Sequence, residues 1–156
     1  MEHDIVIYTD GSARGNPGPG GYGIVFKSGK HYKELSQGYR LTTNNRMELL
    51  AVIVALEKLK FAGSKVRIYT DSKYVCDAVE KGWVFSWEKA RFKNKKNPDL
   101  WKRFLIVYRK HNVKFQWVKG HANIEGNERC DKLAVDASHA ANLQIDHVYE
   151  RHTANG

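Results

Sequence analysis

The apolar positions of this chain fall into short β-type runs on either side of one long helical stretch. DIVIYTD (residues 4–10) is rich in β-branched and aromatic residues and predicts a strand. SARGNPGPGGYG (12–23) is dense in glycine and proline and reads as a turn-rich loop. GIVFKSG (23–29) and HYKELSQGYRL (31–41) predict two more strands, joined by a tight turn around Ser28, Gly29 and Lys30. NNRMELLAVIVALEKLK (44–60) predicts a helix whose middle is apolar all round, hence largely buried. After the breaker Ala62-Gly63-Ser64, KVRIYTD (65–71) predicts a fourth strand and SKYVCDAVEKG (72–82) a short helix stopped by Gly82. LWKRFLIVYRKH (100–111) predicts a helix, NVKFQWVKG (112–120) a fifth strand and NERCDKLAVDASHAAN (127–142) a last helix. From about Gln144 the chain is polar and expected to be loosely ordered.

Three antiparallel strands followed by helix, strand, helix, helix, strand, helix imply an α/β fold: a mixed five-stranded sheet flanked by helices. If the first and fourth strands are neighbours, the crossover helix makes them parallel, and their carboxyl ends lie together. That placement matters because IYTD occurs twice, at 7–10 and at 68–71, so Asp10 and Asp71 would stand side by side. Ligands of α/β sheets bind just there, beyond the carboxyl ends of parallel strands.

Each acid also has an ordinary reading. Asp10 before Gly-Ser is a turn former, Asp71 before Ser-Lys is a helix N-cap, and Glu48 in NRME (45–48) completes a capping-box pattern. Asp131 competes with Glu125, Glu128 and Asp136 for any fourth place, and spacing alone leaves that choice open. If three or four of these carboxylates converge, their mutual repulsion requires a cation. Oxygen-only ligands without His or Cys spacing suit Mg²⁺ or Mn²⁺ and not zinc.

Composition narrows the partner. The 156 residues suit one domain, and Lys plus Arg outnumber Asp plus Glu by 26 to 17, a formal charge of +9 that attracts polyanions, nucleic acid first among them. The longest apolar run, residues 49–56, is too short for a membrane span, and the start MEHD lacks a signal-peptide pattern. Two cysteines, Cys76 and Cys130, in no CxxC spacing suit free thiols in a reducing cytoplasm. The expectation is a cytoplasmic monomer without membrane association.

YTDGSARGNPGPGGYG, TTNNRMELLAVIVALE, YTDSKYV and WVKGHANIEGNERCDKLA, in this order and spacing, resemble the signature segments of bacterial type 1 ribonuclease H over roughly residues 4–140. The resemblance implies a ribonuclease H-like fold and Mg²⁺-dependent endonucleolytic cleavage of the RNA strand of RNA–DNA hybrids, leaving 5′-phosphate and 3′-hydroxyl ends. It implies four metal-binding carboxylates at Asp10, Glu48, Asp71 and Asp131, with Asp10 bridging two ions, and a catalytic histidine at His121. It further implies minor-groove contacts from Gly11, Asn16, Asn45, Glu48 and the residue after Ser72, and a phosphate contact from Thr43. Here the chain departs from its bacterial relatives, which commonly carry Gln at that position where this one has Lys73. The rival readings are a DNA-cutting nuclease or transposase-type domain, and a non-catalytic hybrid-binding protein.

One segment carries a second signal. WVFSWEKARFKNKKNPDLW (83–101) interleaves Lys89, Arg91, Lys93, Lys95 and Lys96 with Trp83, Trp87, Phe92 and Trp101. The aromatics, Trp83 and Trp87 being one helical turn apart, are expected to pack as a small satellite core, and the charges to grip a nucleic-acid backbone as a basic protrusion. The expected division is a catalytic domain over residues 1–143 and a tail over 144–156.

Overall fold

Burial along Lys65–Thr70 alternates, with Val66, Ile68 and Thr70 inside, as a strand lying between a core and solvent requires. The computed structural model describes residues 5–120 and 124–155. β1 (Ile5–Ala13), β2 (Gly18–Ser28) and β3 (His31–Thr42) form an antiparallel meander. β4 (Lys65–Thr70) joins the other edge of β1 in parallel, and β5 (Asn112–Trp117) joins β4 in parallel, giving the order β3-β2-β1-β4-β5. The mixed five-stranded sheet and the parallel first and fourth strands are as the patterning implied. Six helices accompany it: α1 (Asn44–Glu57), α2 (Lys73–Glu80), α3 (Trp83–Lys89), α4 (Pro98–Tyr108), α5 (Glu125–Ser138) and α6 (His147–Asn155). α1 is buried along most of its length, and its apolar residues join Ile7, Ile24, Ile68, Trp101 and Phe104 in the core. None of these helices is long and apolar enough to cross a membrane.

The glycine-rich stretch expected to be a loop is mostly strand. The β1–β2 ladder runs on to Ala13↔Gly20, and only residues 14–17 make the turn. The glycines serve close packing of the protein on itself. A Cβ on Gly21 would come within 2.6 Å of the Ala134 carbonyl oxygen, and Cβ atoms on Gly23 and Gly38 would strike the carbonyls of Cys130 and Ala137, so α5 lies directly on the strand backbone. Gly11 is pressed in the same way against the Met47–Glu48 backbone of α1. Gly11 pairs with Tyr22 and Gly23 with Asp10, neighbouring positions whose faces alternate, so α1 and α5 cover opposite faces of the sheet.

Two further expectations are corrected. The segment after Gln144 is not loosely ordered: Gln144 exchanges backbone hydrogen bonds with Gly38 and Arg40, and α6 follows, held by Asp146. Trp83 does not join the satellite core. It is 47% exposed, and Val84, Trp87 and Phe92 carry the packing instead, because Gly82 at φ +77° starts α3 in an orientation that turns Val84 inward.

Candidate metal centre

Parallel pairing of β1 with β4 stops at Tyr8↔Tyr69, and two residues further on stand Asp10, still on β1, and Asp71, just past the end of β4. β1 continues past Asp10 alongside β2, so Asp10 does not end its strand; it marks where the parallel ladder opens. Glu48 arrives from the start of α1, brought close by the contact of Gly11 with the Met47–Glu48 backbone. One ligand oxygen from each of Asp10, Glu48 and Asp71 lies within 4.8 Å of the others.

The helix caps are made by other residues. Thr43 Oγ1 accepts from Arg46 N at 3.2 Å, so α1 is capped by Thr43 and neither Asn45 nor Glu48 forms a capping box. Ser72 Oγ accepts from Val75 N at 3.2 Å, so α2 is capped by Ser72 and not by Asp71. Both acids are thereby left to face Asp10. Their chain neighbours do the local work.

The electrostatics of the cluster would suit a cation. Asp10 is 6% exposed and Glu48 8%. Burial, then the Asp71 charge and the neighbouring Asp131, push the Asp10 carboxyl up to about 8, and burial with the charges of Asp10 and Asp71 lifts Glu48 well above the usual carboxylate range. Glu48 Oε1 is buried without a hydrogen-bond partner among the described residues. An orphaned carboxylate oxygen amid other carboxylates fits a hard divalent cation with oxygen ligands. Asp131, on α5, neighbours Asp10 and helps hold its carboxyl up, and it stands outside the tight group of Asp10, Glu48 and Asp71. Of its competitors, Asp136 turns to Lys132 at 3.1 Å, and Glu125 and Glu128 are exposed. Gly120 packs against Asp71, where a Cβ would sit 3.1 Å from Oδ2. His121 lies outside the described residues.

Around this centre the other candidates divide into three groups. Lys73 Nζ sits 4.8 Å above the Trp117 ring, whose Nε1 donates to the Asp71 carbonyl at 3.1 Å. Trp117 was not singled out from sequence, and only its place at the end of a strand neighbouring β4 could have flagged it. Asn16, Thr43 and Asn45 share a cleft of about 680 Å³ with Lys95 and Lys96. Asn44 fastens its rim: its backbone N–H donates to Asn16 Oδ1 at 3.0 Å, and its own Oδ1 accepts from Ala13 N at 2.6 Å. In the protrusion Trp87 packs edge-on to Trp101 at 5.7 Å and carries Lys95 at 5.0 Å, while Lys89 and Lys93 are exposed. Trp83 holds Lys81 at 5.2 Å over its exposed ring. Left-handed backbone at Arg91, Phe92, Asn94 and Asn97 folds the segment back on itself.

A family model described as RNase H matches residues 2–139. A relative from Trichodesmium erythraeum named Ribonuclease H is 57% identical over 152 residues, covering 94% of this chain and 96% of its own. Among solved structures, LC9-RNase H1, a type 1 RNase H with the type 2 active-site motif, superposes with a TM-score of 0.80 at 30% identity over 89% of this chain and 74% of its own. LC11-RNase H1, solved in complex with an RNA/DNA hybrid, gives a TM-score of 0.65 at 29% identity over 86% of this chain and 96% of its own.

Proposed function

The chain belongs to the ribonuclease H family of nucleolytic hydrolases, and from that premise we propose that it cleaves the RNA strand of RNA–DNA hybrids, leaving 5′-phosphate and 3′-hydroxyl ends. The observation that carries the reading is the cluster of Asp10, Glu48 and Asp71 at the opening of a parallel β-ladder in a chain of net charge +9. Asp10, Glu48, Asp71 and Asp131 would hold Mg²⁺, with Mn²⁺ as a substitute. Asp10, which neighbours all three of the others, would stand at the centre of that set. Bound there, two such cations supply the positive charge that acidifies the attacking water and offsets the charge on the leaving 3′-oxygen.

The protein's own groups position and recognise. His121 accepts or relays a proton and assists product release. Gly11, Asn16, Asn45, Glu48 and Lys73 read the 2′-hydroxyls of the wide minor groove, Thr43 holds a phosphate of the DNA strand, and Trp83, Lys89, Lys93, Lys95 and Lys96 grip the hybrid's backbone. The Trp117 ring beneath Lys73 supports a charge contact at the position where relatives carry Gln. The protein acts in the cytoplasm, a reading supported by two buried free thiols, Cys76 and Cys130, and acts there as a monomer.

Incubating labelled hybrid with Mg²⁺ beside duplex RNA and duplex DNA tests the proposal. Only the hybrid's RNA is expected to be cut. Cleavage of duplex DNA would favour the transposase-type alternative, and binding without cleavage a non-catalytic hybrid-binding protein. Cleavage persisting in Asp10→Asn or in excess chelator would refute the metal assignment.

A further inference from the structure

α6 is fastened to the domain by an ion-pair network that reaches far across the sequence. Arg46 Nε and Nη2 donate to Asp146 at 2.7 and 2.9 Å, and the Thr42 hydroxyl donates to the same carboxylate at 2.8 Å. Asp146 also begins α6, accepting from Tyr149 N at 3.4 Å. The other side of the Arg46 guanidinium is held by Asp99, at the start of α4, at 3.0 and 2.7 Å. One buried cation thus ties α1, α4 and α6 together, and a forked pair between Arg40 and Glu150 adds a second fastening at the surface.

The consequence is the placement of Tyr149 and His152. Both line the cleft of about 680 Å³ that Asn16, Thr43, Lys95 and Lys96 also line. Arg46 reaches the same cleft with its charge taken up by Asp99 and Asp146, so the cations the cleft offers are Lys95 and Lys96, and side-chain donors come from Asn16, Thr43, Asn45, Tyr149 and His152. A lining of cations and hydrogen-bond donors is suited to phosphodiester oxygens. We propose that α6 is part of the nucleic-acid interface, with Tyr149 and His152 contacting the sugar–phosphate backbone of the bound duplex where it passes between α1 and the basic protrusion. This rests on the hybrid-nuclease reading above and extends it to a segment outside the residues matched by the family model.

The test is the double variant Tyr149→Phe/His152→Ala, which removes both donors and leaves the Arg46–Asp146 fastening in place. Binding of a fluorescently labelled RNA–DNA hybrid is followed by anisotropy in chelator across a salt series, and cleavage is followed separately with Mg²⁺. Dissociation constant and KM are expected to rise roughly tenfold or more, the loss of about one charge-assisted hydrogen bond, with kcat changed less than KM. The log–log salt slope should stay close to the unmutated protein's, because Lys95 and Lys96 remain in place. An affinity equal to the unmutated protein's across the salt series, with circular dichroism unaltered, would overturn the proposal. A wild-type protein that binds hybrid but does not cut it would sink the nuclease reading alone, since the anisotropy comparison still decides the role of α6.

Discussion

Replacing Asp10 by Asn should make the metal-free protein more stable while abolishing its cleavage. The carboxyl titrates near 8 in the folded chain against an ordinary 3.8, because it is buried beside Asp71 and Asp131. A group that holds its proton more tightly when folded costs nothing at pH 3, where both states are protonated. The cost grows as pH rises through 3.8, when only the unfolded chain ionises, and levels off above about 8. At pH 7 the ceiling is about 3.2 units of 1.36 kcal/mol, or about 4 kcal/mol, and Asn, similar in shape and uncharged, should recover roughly 2–4 kcal/mol of it. In a chain of 156 residues that corresponds to a melting temperature higher by roughly 5–15 °C. Urea unfolding in chelator, run from pH 3 to 9, measures it. The gain of Asp10→Asn over the unmutated protein should be near zero at pH 3, climb through the neutral range and flatten above pH 8. Adding Mg²⁺ should raise the stability of the unmutated protein and leave the variant nearly unchanged. A gain independent of pH, or a variant less stable at pH 7 in chelator, would refute the claim that these carboxylates strain the fold until a cation neutralises them.

Asp146→Ala should cost about 2–4 kcal/mol in urea unfolding, somewhat below the usual penalty for breaking a buried pair because Asp99 still holds the other side of Arg46, and amide exchange should show α6 losing protection. Gly23→Ala should cost about 1–3 kcal/mol by pushing α5 off the strand, and kcat should fall with it because Asp131 rides on that helix; a fully active, fully stable variant would show that the close contact is not required. Changing Lys93, Lys95 and Lys96 together to Ala should weaken hybrid binding and flatten its log–log salt slope by roughly 2–3, and an unchanged slope would remove the protrusion from the interface.

Much of the molecule is legible from local pattern. Period-two burial in KVRIYT, the Gly29–Lys30 turn and the all-apolar stretch after Glu48 follow from side-chain periodicity and turn chemistry, which depend on near neighbours. The repeated IYTD, joined to the logic of a parallel crossover, points to Asp10 and Asp71 as neighbours, and the structure has them so. Local pattern misled where the deciding partner was remote. The run from Gly18 to Gly23 reads as loop, since glycine is the residue of turns, and is strand because α5, more than a hundred residues later, needs the space. The tail reads as polar and loosely ordered, and carries a helix held by one carboxylate that meets Arg46 a hundred positions away.

The amino-acid sequence by itself determined the five-stranded sheet, the helices α1, α2, α4 and α5 and the family, and pointed to Asp10 and Asp71 as neighbours, for these depend on residue types and their spacing. Only the tertiary structure decided which acids were spared from capping, how closely Asp10, Glu48 and Asp71 meet, and that His147–Asn155 forms α6, fastened to Arg46 through Asp146. The physical reason is common to all three: burial and charge are properties of what surrounds a group, and at this site the surroundings come from β1, α1, β4 and α5, which meet only when the chain has folded.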